Sequence, residues 1–254
     1  FSTKAIWASL NFDLFMVSLR LLGPSLNWKS PARRGPENGQ QVSALTEAAQ
    51  AQGLVVSGVS PLLPEDGLPT RFRSVALLSP DEPGFWPLVS ASPEMADGEP
   101  QPLDRWSRRV IGRLACEFGT KAAFPFVGPP WRPFTNWARR SGRCWPSPVG
   151  LLVHDTAGLW ISFRGAVALE EDVPPVASAR PCDSCEARPC LRACPVSALR
   201  EDSYDVAACH RLLDAPAGRG CLSGGCRVRR ACPVGAGQRD PAQSAFHMKA
   251  FHPT

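Results

Sequence analysis

The chain has 254 residues, room for one large domain or two small ones, and 44% hydrophobic residues supply a sizeable core. Arginine outnumbers lysine, and Ala, Gly and Pro are abundant beside a single tyrosine, so the 27 prolines read as GC-rich coding bias rather than disorder. The formal charge of +5 is modest, and the most apolar stretch, Ala5 to Leu22, is broken by Asn11, Asp13 and Arg20, which excludes a membrane span there.

Residues 1–40 do not begin with methionine and end in a polar Pro/Arg/Gly-rich stretch; they are left as an extension without a function. From Gln41, the spacing of Val42, Leu45, Ala48 and Ala49 predicts a helix closed by Gly53, followed by a strand at Leu54–Val56. A second strand is expected at Ser74–Leu78. Pro102 opens the clearest helix, with Leu103, Trp106, Val110 and Leu114 on one face. Arg105, Arg108, Arg109 and Arg113 on its other positions read as a solvated face rather than an anion site. Cys116 on the same helix is expected to be a small buried hydrophobe.

Ala122–Phe126 reads as an edge strand, since Pro125 removes a donor, and Pro130–Ala138 as a short helix stopped near Gly142. Cys144 is expected in a polar loop. Gly150–His154 and Leu159–Phe163 flank Asp155-Thr-Ala-Gly158, a hairpin signal. Mixed helices and short strands give an α+β domain over 41–170. Glu170–Pro181 reads as a linker into a second domain, 171–254. That domain ends in a helix with Asp240 as cap, Pro241 in the first turn and Gln243 as capping glutamine. Ala242, Ala245, Phe246 and Lys249 would lie along one side of it.

Eight of the ten cysteines fall in this second domain. The first run is Cys182-x2-Cys185-x4-Cys190-x3-Cys194-Pro195; the second is Cys209, then Cys221-x4-Cys226-x5-Cys232-Pro233. Two-cluster ferredoxins use runs whose fourth cysteine crosses to the other cluster and is followed by proline. By that rule Cys182, Cys185, Cys190 and Cys232 would hold one 4Fe-4S cluster, and Cys194, Cys209, Cys221 and Cys226 the other. Each proline would turn the chain away without adding an amide donor, and Gly224 and Gly225 would let the backbone pass close to an inorganic core. Disulfides and a pair of zinc sites are the competing readings. The chain shows no secretory signal, and zinc ribbons favour paired C-x2-C knuckles, of which only one is present.

A 4Fe-4S core with four thiolates carries about −2, so two would bring the protein to about +1 and remove most of the argument for a polyanion partner. Nucleic acid is therefore not an expected partner, nor is a membrane. Thiolate-bound clusters favour a reducing, cytoplasmic setting.

The cysteine pattern, with the lone Cys209 in Tyr204-Asp-Val-Ala-Ala-Cys209 between the two runs, resembles the cluster region of epoxyqueuosine reductase, in which clusters pass electrons to cobalamin. That likeness supports counting Cys209 as the eighth ligand. The stretch from Val153 to Leu169, containing His154-Asp-Thr-Ala-Gly158 and Arg164-Gly165, looks like a strand motif of cblC-type B12-processing proteins. The likeness implies a nitroreductase-like fold that binds cobalamin, with His154 near the corrinoid. Read by itself, a histidine in a half-buried strand is more often structural. His210, beside a ligand cysteine, is expected to hydrogen-bond a cluster sulfur. From about 41 to 254 the chain is also similar to short alphaproteobacterial ferredoxin-like proteins.

Two main expectations result. One is an electron-transfer protein of ferredoxin type, with a redox partner protein or a small-molecule acceptor. The other is a reductase whose N-terminal domain holds cobalamin or FMN, reduced by the clusters. A structural role, with clusters bracing a binding surface, is a third. No Ser/His/Asp set, phosphate loop or HExxH motif assigns a catalytic residue.

Overall fold

A computed structural model describes residues 39–253, so the extension expected at 1–40 lies, apart from its last two residues, outside the described residues. The described chain mixes helices with β-structure, as the α+β reading expects.

Its main sheet is built on β1 (Leu54–Pro61), β2 (Ser74–Pro80), β3 (Ala122–Ala123) and β6 (Gly165–Leu169). The order is β1-β2-β6-β3, and every pair is antiparallel. β2 and β6 are buried along their whole length, which suits their apolar runs to the centre of a covered sheet.

Successive β2 side chains point to opposite faces. Ala76 and Leu78 pack with α1 (Gln40–Gln50), α2 (Phe85–Ser90) and α4 (Pro102–Glu117) through Leu45, Phe85, Trp106 and Ile111. Val75 and Leu77 pack on the other side with Phe134 and Trp137 of α5 (Phe134–Arg140). β1 carries a bulge between Val56 and Gly58. The unpaired Ser57 donates its hydroxyl to the Leu77 carbonyl (3.2 Å) and accepts from Ser79 (2.7 Å).

Leu103, Trp106, Val110 and Leu114 of α4 are buried as the spacing predicts, but Cys116 is exposed. The buried stripe runs through Leu114 and Ala115, and the next position rotates off it. Three of the four arginines of α4 are engaged locally. Arg105 pairs with Asp97 (2.7 Å), Arg109 with Glu94 of α3 (Pro93–Ala96), and Arg108 lies over the Phe126 ring.

Several expected elements differ. The edge strand at 122–126 shrinks to Ala122–Ala123, and the helix expected from Pro130 begins only at Phe134, after Pro133. Leu159–Phe163 does not pair with Gly150–His154. The turn closes through reciprocal His154 and Gly158 backbone bonds (3.0 and 3.1 Å), but β5 (Leu152–His154) pairs with β4 (Cys144–Pro146) instead. Leu159, Ile161 and Phe163 are all drawn inward, so the chain dives into the core rather than continuing a two-sided ladder. Cys144 accordingly lies buried in β4, not in a polar loop.

The segment 170–180 runs without regular structure, yet it is pinned along its length. Glu171 accepts from the free amides of Gln41 (2.8 Å) and Val42 (3.3 Å) at the start of α1, where a carboxylate complements the helix end. Val173 N–H donates to Ser74, and Ser178 to Asp155. Beyond it come α6 (Cys190–Ala193), α7 (Val206–Asp214), α8 (Arg219–Gly224), α9 (Arg227–Arg230) and α10 (Pro241–Phe251). A shared apolar cluster of Val149, Leu151, Val153 and Leu159 with Leu199, Val228 and Cys232 joins the cysteine-rich region to the rest.

Asp240 caps α10 by accepting from Ala242 N–H (2.7 Å), with Pro241 in the first turn as expected. The buried side differs. Gln243, Ser244, Met248 and Phe251 face inward, while Ala242 and Lys249 are exposed. Gln243 is fully buried rather than folded back on the cap.

Candidate metal centre

The eight cysteines of the 182–232 region separate into two groups. Cys182 sits on a 3₁₀ turn (Pro181–Asp183), Cys185 follows in the loop, and Cys190 opens α6. These three and Cys232, which follows α9, line one cavity together with Val153, Leu159 and Pro233. Cys194, Cys209 on α7, Cys221 on α8 and Cys226 between α8 and α9 line a second, with Tyr204, Leu212, Met248 and Phe251. Cys194 thus leaves the first run for the second cavity, and Cys232 leaves the second run for the first. This is the crossed combination expected from the spacing. Among the described residues, no group of three or more His, Cys, Asp or Glu side chains is placed to hold a metal ion.

Electrostatics divides along the same line. Burial raises the thiol pKa of Cys182 and Cys190, and the cysteines that raise it further come from their own quartet, with Asp183 adding to the effect on Cys182. Burial likewise pushes Cys209 up to about 11, with Cys226, Cys194 and Cys221 adding to the effect and the Tyr204 hydroxyl opposing it by hydrogen-bonding the sulfur. Burial thus favours the protonated form of Cys182, Cys190, Cys209 and Cys226, which a cationic centre would reverse. Backbone donors already face some of the sulfurs. Ala198 N–H lies 3.4 Å from Cys194 Sγ, and the amides of Val228 and Arg229 donate to Cys226. Four thiols, apolar walls and N–H groups aimed at sulfur are a donor set that suits an iron–sulfur cluster.

The glycines near Cys226 have a different reason from the one expected. Gly225 (φ 82°) faces protein: an added Cβ would lie 2.8 Å from Ser244 Cβ and 3.0 Å from the Trp160 ring. Gly158 (φ 56°) is the closer approach to a quartet. Its Cβ would collide with the Val234 carbonyl and lie 3.1 Å from Cys232 Sγ. The 155–160 turn therefore touches the first quartet through Gly158 and the flank of the second through Trp160. Neither contact was visible in the sequence, where Gly158 read only as a turn residue.

His154 is buried and satisfied. Its Nε2–H donates to the Ser57 carbonyl (2.7 Å), and Nδ1 accepts from the amides of Thr156 (3.2 Å) and Ala157 (3.1 Å). Burial lowers its pKa and keeps the ring neutral. Both nitrogens are thus occupied in fixing the bulge to the turn, as the structural alternative expects. His210 does not bond a cysteine sulfur. Its ring meets Phe251 edge-on and stands 4.7 Å from His252, and its Nε2 has no partner.

Comparison with protein-family models, with curated proteins and with solved structures finds no match for this chain.

Proposed function

We propose that this chain is an iron–sulfur electron-transfer protein of ferredoxin type. Cys182, Cys185, Cys190 and Cys232 would hold one 4Fe-4S cluster, and Cys194, Cys209, Cys221 and Cys226 the other. The observation that carries the reading is the separation of these cysteines into two quartets, each around its own cavity, in crossed combination. A cluster bound in such a site supplies reversible one-electron transfer. The chain contributes the thiolates, the apolar walls that exclude water, and the donors that tune charge on sulfur: Ala198 N–H to Cys194 and the Tyr204 hydroxyl to Cys209. A reducing, cytoplasmic setting and a redox partner protein or small-molecule acceptor go with this reading.

Substitution tests the ligand assignment. Cys209→Ala should impair only the cluster assigned to Cys194, Cys221 and Cys226. Unchanged EPR and visible spectra of the anaerobically purified variant would remove Cys209 from the ligand set.

A second reading, a reductase whose 41–170 region has a nitroreductase-like or cblC-like fold and holds cobalamin or FMN, is favoured by one feature. A simple electron carrier has no need of an α+β domain packed onto its clusters, yet Val153 and Leu159 from that domain wall the first quartet. Titration with cobalamin and with FMN separates the readings. Saturable binding weakened by His154→Ala favours the reductase, and no binding of either favours the carrier. Both ring nitrogens of His154 already have hydrogen-bond partners, which argues against it as a metal ligand.

A further inference from the structure

The short helices α6 and α9 pack side by side, and each links the two quartets. α6 begins at Cys190 of the first quartet and is followed by Cys194 of the second. α9 follows Cys226 of the second and leads to Cys232 of the first. The surface they form therefore borders both cavities, with Arg188 lining the first and Arg227 the second.

Two properties mark this face. It is basic without compensation. From Ser184 to Arg200 the sequence has one acidic residue, Glu186, and from Arg219 to Arg239 it has none. Among the described residues, Arg188, Arg192, Arg227 and Arg230 form no ion pair. Main-chain carbonyls hold three of these guanidinium groups instead. Arg227 donates to Ala217 (2.8 Å), Arg230 to Gly220 (3.1 Å) and Arg192 to Ala187 (3.5 Å). Arginines held this way keep their full charge for a partner and have less freedom to lose on docking. The face also carries exposed apolar side chains: Leu191 on α6 is 51% exposed, and Val196, just beyond Cys194, is 40% exposed. Exposed apolar residues beside arginine are the make-up of a protein interface.

We propose that the α6–α9 face docks an acidic partner protein, which exchanges electrons with the sites it borders. The exchange rests on the carrier reading; the docking rests on charge and exposure. The partner would be a one-electron carrier. A reduced 4Fe-4S site loses one electron and the partner's cofactor gains it, with no bond made or broken. A single-stranded nucleic acid would match the charge but finds no stacking platform on this face. The one exposed aromatic ring among the described residues is Trp131, in the segment before α5.

Two small one-electron proteins of opposite charge test the face: flavodoxin, which is acidic, and cytochrome c, which is basic. Each is titrated by calorimetry, with all proteins oxidised, into the anaerobically purified chain. A single-stranded RNA of mixed sequence is titrated alongside, and iron is measured on the same samples. Flavodoxin should bind saturably, at least about tenfold more tightly than cytochrome c, and lose affinity as salt rises. Arg192 and Arg230 line neither cavity, so Arg192→Glu combined with Arg230→Glu should leave iron content and visible spectrum unchanged. The same double variant should bind flavodoxin about tenfold more weakly, and after reduction should pass electrons to it about tenfold more slowly. Should it fold poorly, Arg230→Gln alone should weaken binding about threefold. No saturable flavodoxin binding, equal binding of the two proteins, tighter binding of the RNA, or indifference to the substitutions, each with iron present, would overturn the docking face and leave the carrier reading standing. Iron-free protein would overturn both.

Discussion

The two cysteine quartets have the same composition but different walls. The second is enclosed by Leu212, Met248 and Phe251 of the C-terminal helices and by Tyr204 just before α7. The first takes Val153 and Leu159 from the N-terminal part of the chain, and the Gly158 turn presses on Cys232. The difference teaches that one site is internal to the cysteine-rich region while the other is an interface. Whatever disturbs packing between the two regions should be felt first at Cys182, Cys185, Cys190 and Cys232.

Gly158→Ala is the strongest way to break the comparison. The new Cβ has no room against the Val234 carbonyl, and its backbone needs a positive φ, so a loss of about 2–4 kcal/mol is expected. Denaturation followed by absorbance should show the first quartet's signal fading before the second's; simultaneous loss would show that the quartets are not separable. A smaller and opposite selectivity is expected from Tyr204→Phe. It removes one hydroxyl donor from Cys209, worth about 1 kcal/mol, and should lower the reduction potential of the second site alone, read by redox titration.

The smallest effect lies away from both quartets. Arg109 beside Glu94 holds that carboxyl down to about 2 from the ordinary value near 4.5. The folded pKa lies below the unfolded one, so this contribution is complete above about pH 4.5 and is lost as pH falls toward 2. Because Arg109 is 42% exposed, solvent screening limits it to about 1–2 kcal/mol. Glu94→Gln should flatten that part of the acid-denaturation curve without altering either quartet. A parallel curve would show that the pair contributes nothing.

The cysteine grouping was legible because it rests on short spacings and a repeated proline, which survive without any knowledge of the fold. The buried stripe of α4 was legible for a similar reason, since helical periodicity is local. Leu159–Phe163 misled because a short apolar run beside a Gly turn reads as a strand, whereas Leu159 packs against the cysteine-rich region and Ile161 and Phe163 against the sheet, outside any ladder. The inward side of α10 was hidden because it is half polar: Gln243 and Ser244 are buried beside Met248 and Phe251, and Ser244 and His247 line a cavity with Trp160, Arg229 and Arg239. Glu82 and Arg239 meet only through the fold, so their buried ion pair at 3.0 Å left no mark in the sequence.

Iron and acid-labile sulfide analysis of anaerobically purified protein, combined with EPR after reduction, tests the two-site account most directly. The expected result is about eight irons and eight sulfides per chain, with spectra of reduced 4Fe-4S clusters. About four irons per chain, or zinc in place of iron, would contradict it.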